Sequence, residues 1–411
     1  MQTVFEKNRL KTADWLQNGE AMVVFAGQSI KSTADEQHEF RVNKNFFYFT
    51  GIRREAFVLV CYKLKDELES LLFIEKPNYD VEKWFGRKLS KAKATEMSGI
   101  EQVKYVDDFL PWLNKLFYDG KIETLWLDLE KLSWEERDGR AHTFAKEVQD
   151  RYPFVTVKTF HPKVSEVRMI KCDEEVNWIK EAIHKTHIGL NAILKALMPG
   201  MLEGQLDNVF EYHIRTAGAD GLAFPTIAAS GGNGVILHYV ENDCELKNGE
   251  LVLLDLGAKY KGYNSDITRT YPVSGKFTKR QAQIYNIVLK AQLAVIDAMK
   301  PGVSFERLNE VCKSVLAREL RNIDLIKEDS ELGKYYYHGV SHHLGLDVHD
   351  IGNRESALTP GMVLTVEPGL YIAEEAIGIR IEDDVLITED GNIVLSSEIP
   401  KAIDDIESLM S

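Results

Sequence analysis

The sequence predicts an α/β N-terminal domain over residues 1–162 and an α+β C-terminal domain over residues 163–411 that carries a pseudo-twofold internal repeat. Three observations predict it. Short β-rich runs alternate with charged helical stretches up to about residue 160, the pattern of strands and helices packed in layers. A β-branched run from Phe154 then passes through Pro162 into a helix carrying Asp173, Glu174 and Glu175 near its start, where acids suit the helix dipole. Beyond that helix, one helix-and-turn motif and one strand motif each occur twice, which marks related halves.

In the first domain the runs EAMVVFAG (20–27), NFFYFTGI (45–52), AFVLVCY (56–62), SLLFIEK (70–76) and TLWLDL (124–129) read as strands. VEKWFGRKLSKAKATEMSG (81–99) and SWEERDGRAHTFAKEVQDRY (133–152) read as helical stretches. The boundary falls near residue 162, and no low-complexity linker follows it, so the two domains are expected to be packed together and not tethered. In the second domain LMPGMLEGQLDNV (197–209) aligns with MKPGVSFERLNEV (299–311) at a constant offset of 102, matching Pro199 to Pro301 and Gly200 to Gly302. GELVLLDLG (249–257) aligns with GMVLTVEPG (361–369) at an offset of 112, matching Asp255 to Glu367. Two related halves, helices first and strands after, are expected to bring Asp255 and Glu367 to equivalent places about the pseudo-twofold axis.

Composition narrows the function. The 411 residues carry a net charge of −14 and no Lys/Arg block long enough to track a phosphate backbone, so nucleic acid is excluded as a partner. With 44% hydrophobic and 28% charged residues the chain is ordinary for a folded globular protein. No apolar run approaches the roughly 18–20 residues that cross a bilayer, and the N-terminus has no signal-peptide pattern. Cys61, Cys172, Cys244 and Cys312 are far apart and form no CxxC pair, which fits thiols in a reducing compartment and predicts a cytoplasmic protein.

Asp255 in LVLLDLG and Glu367 in VLTVEPG lie in apolar runs, where an isolated carboxylate is costly unless cations or strong donors compensate it. Each half supplies a second acid after a short gap, Asp266 in YNSDITRTY and Glu382 in GIRIEDDVLI, as two strands joined by a turn would. Between the pairs, HGVSHHLGLDVHD places His338, His342, His343 and His349 within twelve residues, although the chain has only 11 histidines. Four converging carboxylates would be neutralised by two divalent cations, with an imidazole completing the coordination, so the pattern points to a two-metal hydrolytic site. Singly, an acid at a strand end is more often a turn former or ion-pair member, and Glu382, Asp383 and Asp384 also read as a solvated acidic turn. Of adjacent His342 and His343, at most one is expected to be a ligand, because neighbours on an extended chain point opposite ways. His142, His161, His184, His187 and His213 have no such surroundings and read as surface or core residues.

DLGAKYKGYNSDITRTYPVSG, HGVSHHLGLDVHD, LTVEPGLYI and GIRIEDD, in that order, resemble the motifs of the pita-bread metallopeptidase family, most closely its aminopeptidase P (Xaa-Pro aminopeptidase) branch. FRVNKNFFYFTGIRREAFVLV resembles that branch's N-terminal domain, so the resemblance covers nearly the whole chain. It implies a pita-bread C-terminal domain with Asp255 on one metal, His342 and Glu367 on the other, and Asp266 and Glu382 bridging. It also implies two divalent ions, with Mn(II) the usual choice, and a hydroxide bridging them that attacks the scissile carbonyl. Glu367 would take up the proton, His349 would hydrogen-bond the carbonyl oxygen, and His238 in GVILHYVEN would be a second substrate histidine. His338, Tyr371 and Arg380 match positions around the proline side of the bond. Release of the N-terminal residue from peptides with proline second is the implied activity, and a dimer or tetramer the implied assembly.

Two features depart from the family pattern: His343 stands where many members have a bulky aromatic, and the interval from Glu367 to Glu382 is short. The nearest alternative is prolidase, which works on Xaa-Pro dipeptides with the same metal set; Ser341 before His342 is more like aminopeptidase P. Creatinase, a metal-free hydrolase on this fold, lacks the ligand set. A non-catalytic pita-bread module that binds proteins is the alternative of a different class, and retention of all five ligand types argues against it.

Overall fold

The computed structural model describes residues 2–411, which divide into two compact units after Val167. The first holds a six-stranded mixed sheet of β1 (Glu20–Phe25), β2 (Val58–Leu64), β3 (Glu67–Ile74), β4 (Gln102–Tyr105), β5 (Thr124–Leu127) and β6 (Thr156–Thr159), in the order β4-β3-β2-β1-β5-β6. The central strands are apolar on both faces, as strands covered from both sides must be. One face, with Ala21, Val23, Val58, Val60, Leu71 and Phe73, packs on side chains of later helices, including Phe109, Leu113, Phe117, Phe144 and Val148. The helices of this unit include α1 (Tyr79–Phe85), α2 (Phe109–Tyr118) and α3 (Arg140–Arg151).

One run expected as a strand is a helix. NFFYFTGI forms the helix Lys44–Thr50, capped by the Asn43 side chain, which accepts from the Phe46 N–H, and ended by Gly51 in the left-handed region at φ +68°. All of Asn45–Thr50 is buried, so the run is apolar all round for the reason a buried strand would be, and only the end caps distinguish the two. The stretch 81–99 is also broken, into α1 and a second helix Lys91–Ser98, by Gly86 at φ +84°.

The second unit begins with α4 (Asp173–Ala196) and α5 (Glu203–Thr216), followed by β7 (Ile227–Ser230), β8 (Leu251–Leu256) and β9 (Ile267–Pro272) in one antiparallel sheet. It continues with α6 (Lys279–Ala298) and α7 (Phe305–Asn322), then β10 (Val363–Val366), β11 (Gly369–Ile372), β12 (Ile377–Arg380), β13 (Asp383–Ile387) and β14 (Asn392–Val394). The repeated Pro-Gly segments take the same conformation: Gly200 after α4 and Gly302 after α6 both have φ +88°. A Cβ at either would meet nothing within 4 Å, so it is backbone conformation and not space that requires glycine there.

Strand register delivers the acids. Asp255 on β8 pairs with Thr268 on β9, two residues beyond Asp266, and β10 pairs with β13 so that Val366 faces Asp383, placing Glu367 beside Glu382. The two sheets are stitched at this point, because the Glu382 N–H donates to the Thr268 carbonyl at 3.0 Å. The histidine-rich segment is anchored by a buried ion cluster: Asp350 accepts from Arg168 at 2.5 Å and from Lys171 at 3.0 Å, and these side chains are 2% exposed or less. Against the burial that would raise it, the two cations hold the Asp350 carboxyl down at about 2.

Asp350→Asn should leave buried Lys171 without its carboxylate and remove one of the acids that face Arg168, destabilising the protein by about 3–5 kcal/mol in urea unfolding at pH 7. Because the folded-state value lies below the ordinary 3.8, this stabilisation is complete above about pH 4 and fades as pH falls further. The difference between wild type and variant should therefore shrink from pH 5 to pH 3; a constant difference would exclude the ion cluster as its source.

Candidate metal centre

Asp255 lies within β8, while Asp266, Glu367 and Glu382 lie in the short breaks next to β9, β10 and β13, so the ends of paired strands deliver the acids. Asp255, Asp266, Glu367, Glu382 and His342 line one cleft of about 260 Å³, together with His238, His338, His349, Arg354 and Arg380. One ligand atom from each of Asp266, His342 and Glu382 lies within 4.8 Å of the others, and all three residues are buried. His342 Nε2 stands 3.5 Å from Asp266 and 3.7 Å from Glu367. Its Nδ1 is 3.0 Å from the His343 carbonyl, which can only accept, so Nδ1 carries the proton and Nε2 presents a lone pair to the acids. Of the adjacent pair, His343 turns away: it is 1% exposed and its ring packs 5.2 Å from that of Phe305.

The cluster is electrostatically unbalanced by itself. Burial, then the charges of Asp255, Asp384 and Glu367, hold the Asp266 carboxyl well above the usual carboxylate range. Burial and the neighbouring Asp266 and Glu367 do the same to Glu382. Glu367 is pushed up to about 8, chiefly by burial, with Arg380 opposing the shift. Burial also lowers His342 to about 3 and His338 to about 4, which keeps both imidazoles neutral. Neutral imidazole and clustered carboxylates are the donor set that divalent cations take. Asp255 adds a further indication, since its Oδ1 is buried with no hydrogen-bond partner while Oδ2 accepts from Arg380 at 2.5 Å. The residues present therefore fit divalent metal ions.

Around these groups the chain supplies oriented donors. Thr268 donates from its hydroxyl to Glu382 at 2.6 Å, and the Asp266 N–H donates to Asp384 at 3.1 Å. Arg380, 3% exposed, donates to Asp255, to the Tyr371 hydroxyl at 3.1 Å and to the Thr268 hydroxyl at 3.1 Å. Tyr371 does not line the cleft; it is buried behind it and reaches His338 Nε2 at 2.8 Å. The His349 ring lies 4.3 Å from that of His342. Glu382, Asp383 and Asp384 are 2%, 0% and 0% exposed, so they are no solvated turn. Asp383 is instead held by Arg269 at 2.7 Å and Lys401 at 2.5 Å.

Sequence reasoning missed Arg354, Thr268 and Asp384. Arg354 stands in the irregular segment after His349, with no periodic or paired signal around it. A larger hollow of about 770 Å³ in the first unit, lined by side chains of α2 and α3, presents Glu147, Asp150 and Arg151 on an apolar surface. Neither histidine nor cysteine lines it, so it lacks the donors that the smaller cleft gathers.

Comparison with known proteins finds relatives that span nearly the whole chain. Residues 177–389 match the model of metallopeptidase family M24, and residues 5–126 match the aminopeptidase P N-terminal domain. The Xaa-Pro aminopeptidase of Escherichia coli K12 is 36% identical, over 99% of this chain and 97% of the relative. Human Xaa-Pro aminopeptidase 3 is 31% identical, over 95% of this chain and 81% of its own length. Among solved structures, E. coli aminopeptidase P with the inhibitor Pro-Leu superposes with a TM-score of 0.89 at 35% identity, covering 99% of this chain and 97% of that one. A Bacillus anthracis chain solved as a candidate aminopeptidase P gives 0.97 at 44% identity, with the same coverage.

Metal-stripped protein should gain stability on addition of divalent cation, by about 2.7 kcal/mol when the free ion exceeds its dissociation constant a hundredfold. Asp266→Asn should lose most of that gain while the metal-free variant unfolds no more easily than metal-free wild type, because the change relieves buried repulsion. Equal stabilisation of both proteins by the ion, read by thermal unfolding, would remove Asp266 from the ligand set.

Proposed function

Because the chain belongs to metallopeptidase family M24, we propose that this cleft is the active centre of a metal-dependent Xaa-Pro aminopeptidase, a hydrolase releasing the N-terminal residue from peptides with proline second. The observation that carries the reading is that four carboxylates share one cleft with His342, whose lone-pair nitrogen stands 3.5 Å from Asp266 and 3.7 Å from Glu367. Asp255 would hold one ion, His342 and Glu367 the other, with Asp266 and Glu382 between them. When bound, the ions lower the pKa of water and polarise the scissile carbonyl. Mn(II) is the proposed metal, since a site rich in carboxylate oxygen with one imidazole suits it.

The chain's own groups do the rest. Glu367, which lines the cleft 3.7 Å from His342 Nε2, would accept the proton that water loses on attack. His349, neutral through burial, donates a hydrogen bond to the carbonyl oxygen as negative charge develops there. His238, which lines the same cleft, would hold the substrate beside it. His338 and Arg380 form the side that receives proline, whose tertiary amide has no N–H to satisfy, and Tyr371 supports both from behind through hydrogen bonds of 2.8 and 3.1 Å.

A homo-oligomer, dimer or tetramer, is proposed for the assembly. Its support is α1, which has no buried residue and exposes Trp84 and Phe85 at 83% and 84%, an apolar surface that a second copy would cover. The expected compartment is the cytoplasm, where four free thiols stay reduced. No helix among the described residues is long and apolar enough to cross a membrane.

Hydrolysis of Xaa-Pro-Xaa tripeptides by metal-stripped protein, before and after adding Mn(II), tests the activity, with Xaa-Ala-Xaa and Xaa-Pro as controls. Metal-dependent release of the first residue from the proline tripeptide is expected, and cleavage of the dipeptide alone would make the enzyme a prolidase. Asp266→Asn should lose nearly all turnover; a fully active variant would contradict its bridging role. Light scattering should give a multiple of the chain mass, reduced by Trp84→Ser together with Phe85→Ser.

A further inference from the structure

A second group of ligand-type side chains, Glu203, Asp243 and Cys244, lies outside the cleft. Its centre is saturated by the protein. Glu203, 0% exposed, accepts on Oε1 from the Ser230 N–H and hydroxyl, both at 2.7 Å, and from Asn233 Nδ2 at 3.1 Å. Its Oε2 accepts from the Tyr239 hydroxyl at 2.8 Å and the Cys244 N–H at 3.0 Å. Five donors use the lone pairs of both oxygens, so nothing remains for a cation. The first two N–H groups of α5 are engaged by the same stretch, Glu203 donating to the Cys244 carbonyl and Gly204 to the Asn242 carbonyl.

All five donors come from residues 230–244, the excursion that leaves β7 and carries Leu237 and His238 to the cleft wall. Its other side is fixed as well. A Cβ on Gly378 would lie 1.9 Å from the Gly234 carbonyl oxygen, and Tyr337 donates to the Val235 carbonyl at 2.8 Å. His238 thus stands on a loop clamped from below by one carboxylate and from the side by β12.

We propose that Glu203 is a positioning residue, a buried carboxylate that sets where His238 meets the substrate by gathering both ends of the loop that carries it. This rests on the reading of His238 as a substrate group. A glutamine at 203 would keep the shape but turn one acceptor into an N–H₂ donor facing the loop's own donors, leaving buried N–H groups unmatched. A shift of about 1 Å in a substrate-holding group can cost on the order of a hundredfold in rate, so part of that loss should follow.

The test is a double-mutant cycle on the full-length metal-loaded protein with an Xaa-Pro-Xaa tripeptide. Glu203→Gln should lower kcat/KM about tenfold, through whichever of kcat and KM His238→Ala changes, with metal content unaltered. In the His238→Ala background the same change should cost less than about twofold, since residues acting through one another are not additive. Should Glu203→Gln fail to fold, Tyr239→Phe and Asn233→Ala, each removing one donor, take its place in the cycle. Losses that multiply, a fall in metal content, or wild-type kinetics for Glu203→Gln would overturn the proposal while leaving the substrate role of His238 intact. A silent His238→Ala would overturn that role, and the positioning proposal with it.

Discussion

Like charges crowded out of water are the constraint on which the second unit is built. Asp255, Asp266, Glu367 and Glu382 face one small cleft, and burial with mutual repulsion pushes Asp266, Glu367 and Glu382 toward the protonated form. A fold that relaxed freely would separate them. Antiparallel pairing prevents this, because Asp255 opposite Thr268, and Glu367 beside Glu382, are positions set by ladders of backbone hydrogen bonds that the side chains cannot slip without losing. The repulsion is then available to bind cations, which is how a destabilising cluster becomes a functional one.

The surroundings compensate charge without filling the centre. Arg380 takes one oxygen of Asp255 and leaves the other without a partner. Thr268 takes one oxygen of Glu382. Behind the cleft, charges that have no part in the chemistry are matched fully: Asp383 with Arg269 and Lys401, Asp350 with Arg168 and Lys171. Buried pairs of this kind contribute little net stability but strongly resist rearrangement. Asp383 follows Glu382 and Asp350 follows His349, so each pair holds its neighbour in the chain at a defined place. Glu203 performs the equivalent task for the loop of His238 with neutral donors instead of cations.

Much of this was legible in the amino-acid order. The repeat at 197–209 and 299–311 reappears as two Pro-Gly turns of one conformation, and the paired acids arrive at strand ends as their spacing requires. The misreading of 45–52 has a local cause: a segment buried on every side has no periodicity, so Asn43 and Gly51 were the only signs that it is helical. Between His342 and His343 it was the family resemblance that picked His342, since alternation says that two neighbours point apart but not which one faces the cleft.

The sequence by itself determined the kind of chemistry: acids in apolar runs, repeated at matched positions, with a histidine cluster between them, leave few roles other than binding cations. Its motifs also determined the family, because their order along the chain is specific. Only the tertiary structure decided which oxygen of Asp255 Arg380 occupies, that Glu382, Asp383 and Asp384 are buried, that Arg354 reaches the cleft, and that Glu203 gathers the loop of His238. These are contacts between residues far apart in the chain, 125 positions for Arg380 and Asp255. No local propensity encodes such a contact, and the packing of the two sheets sets its geometry.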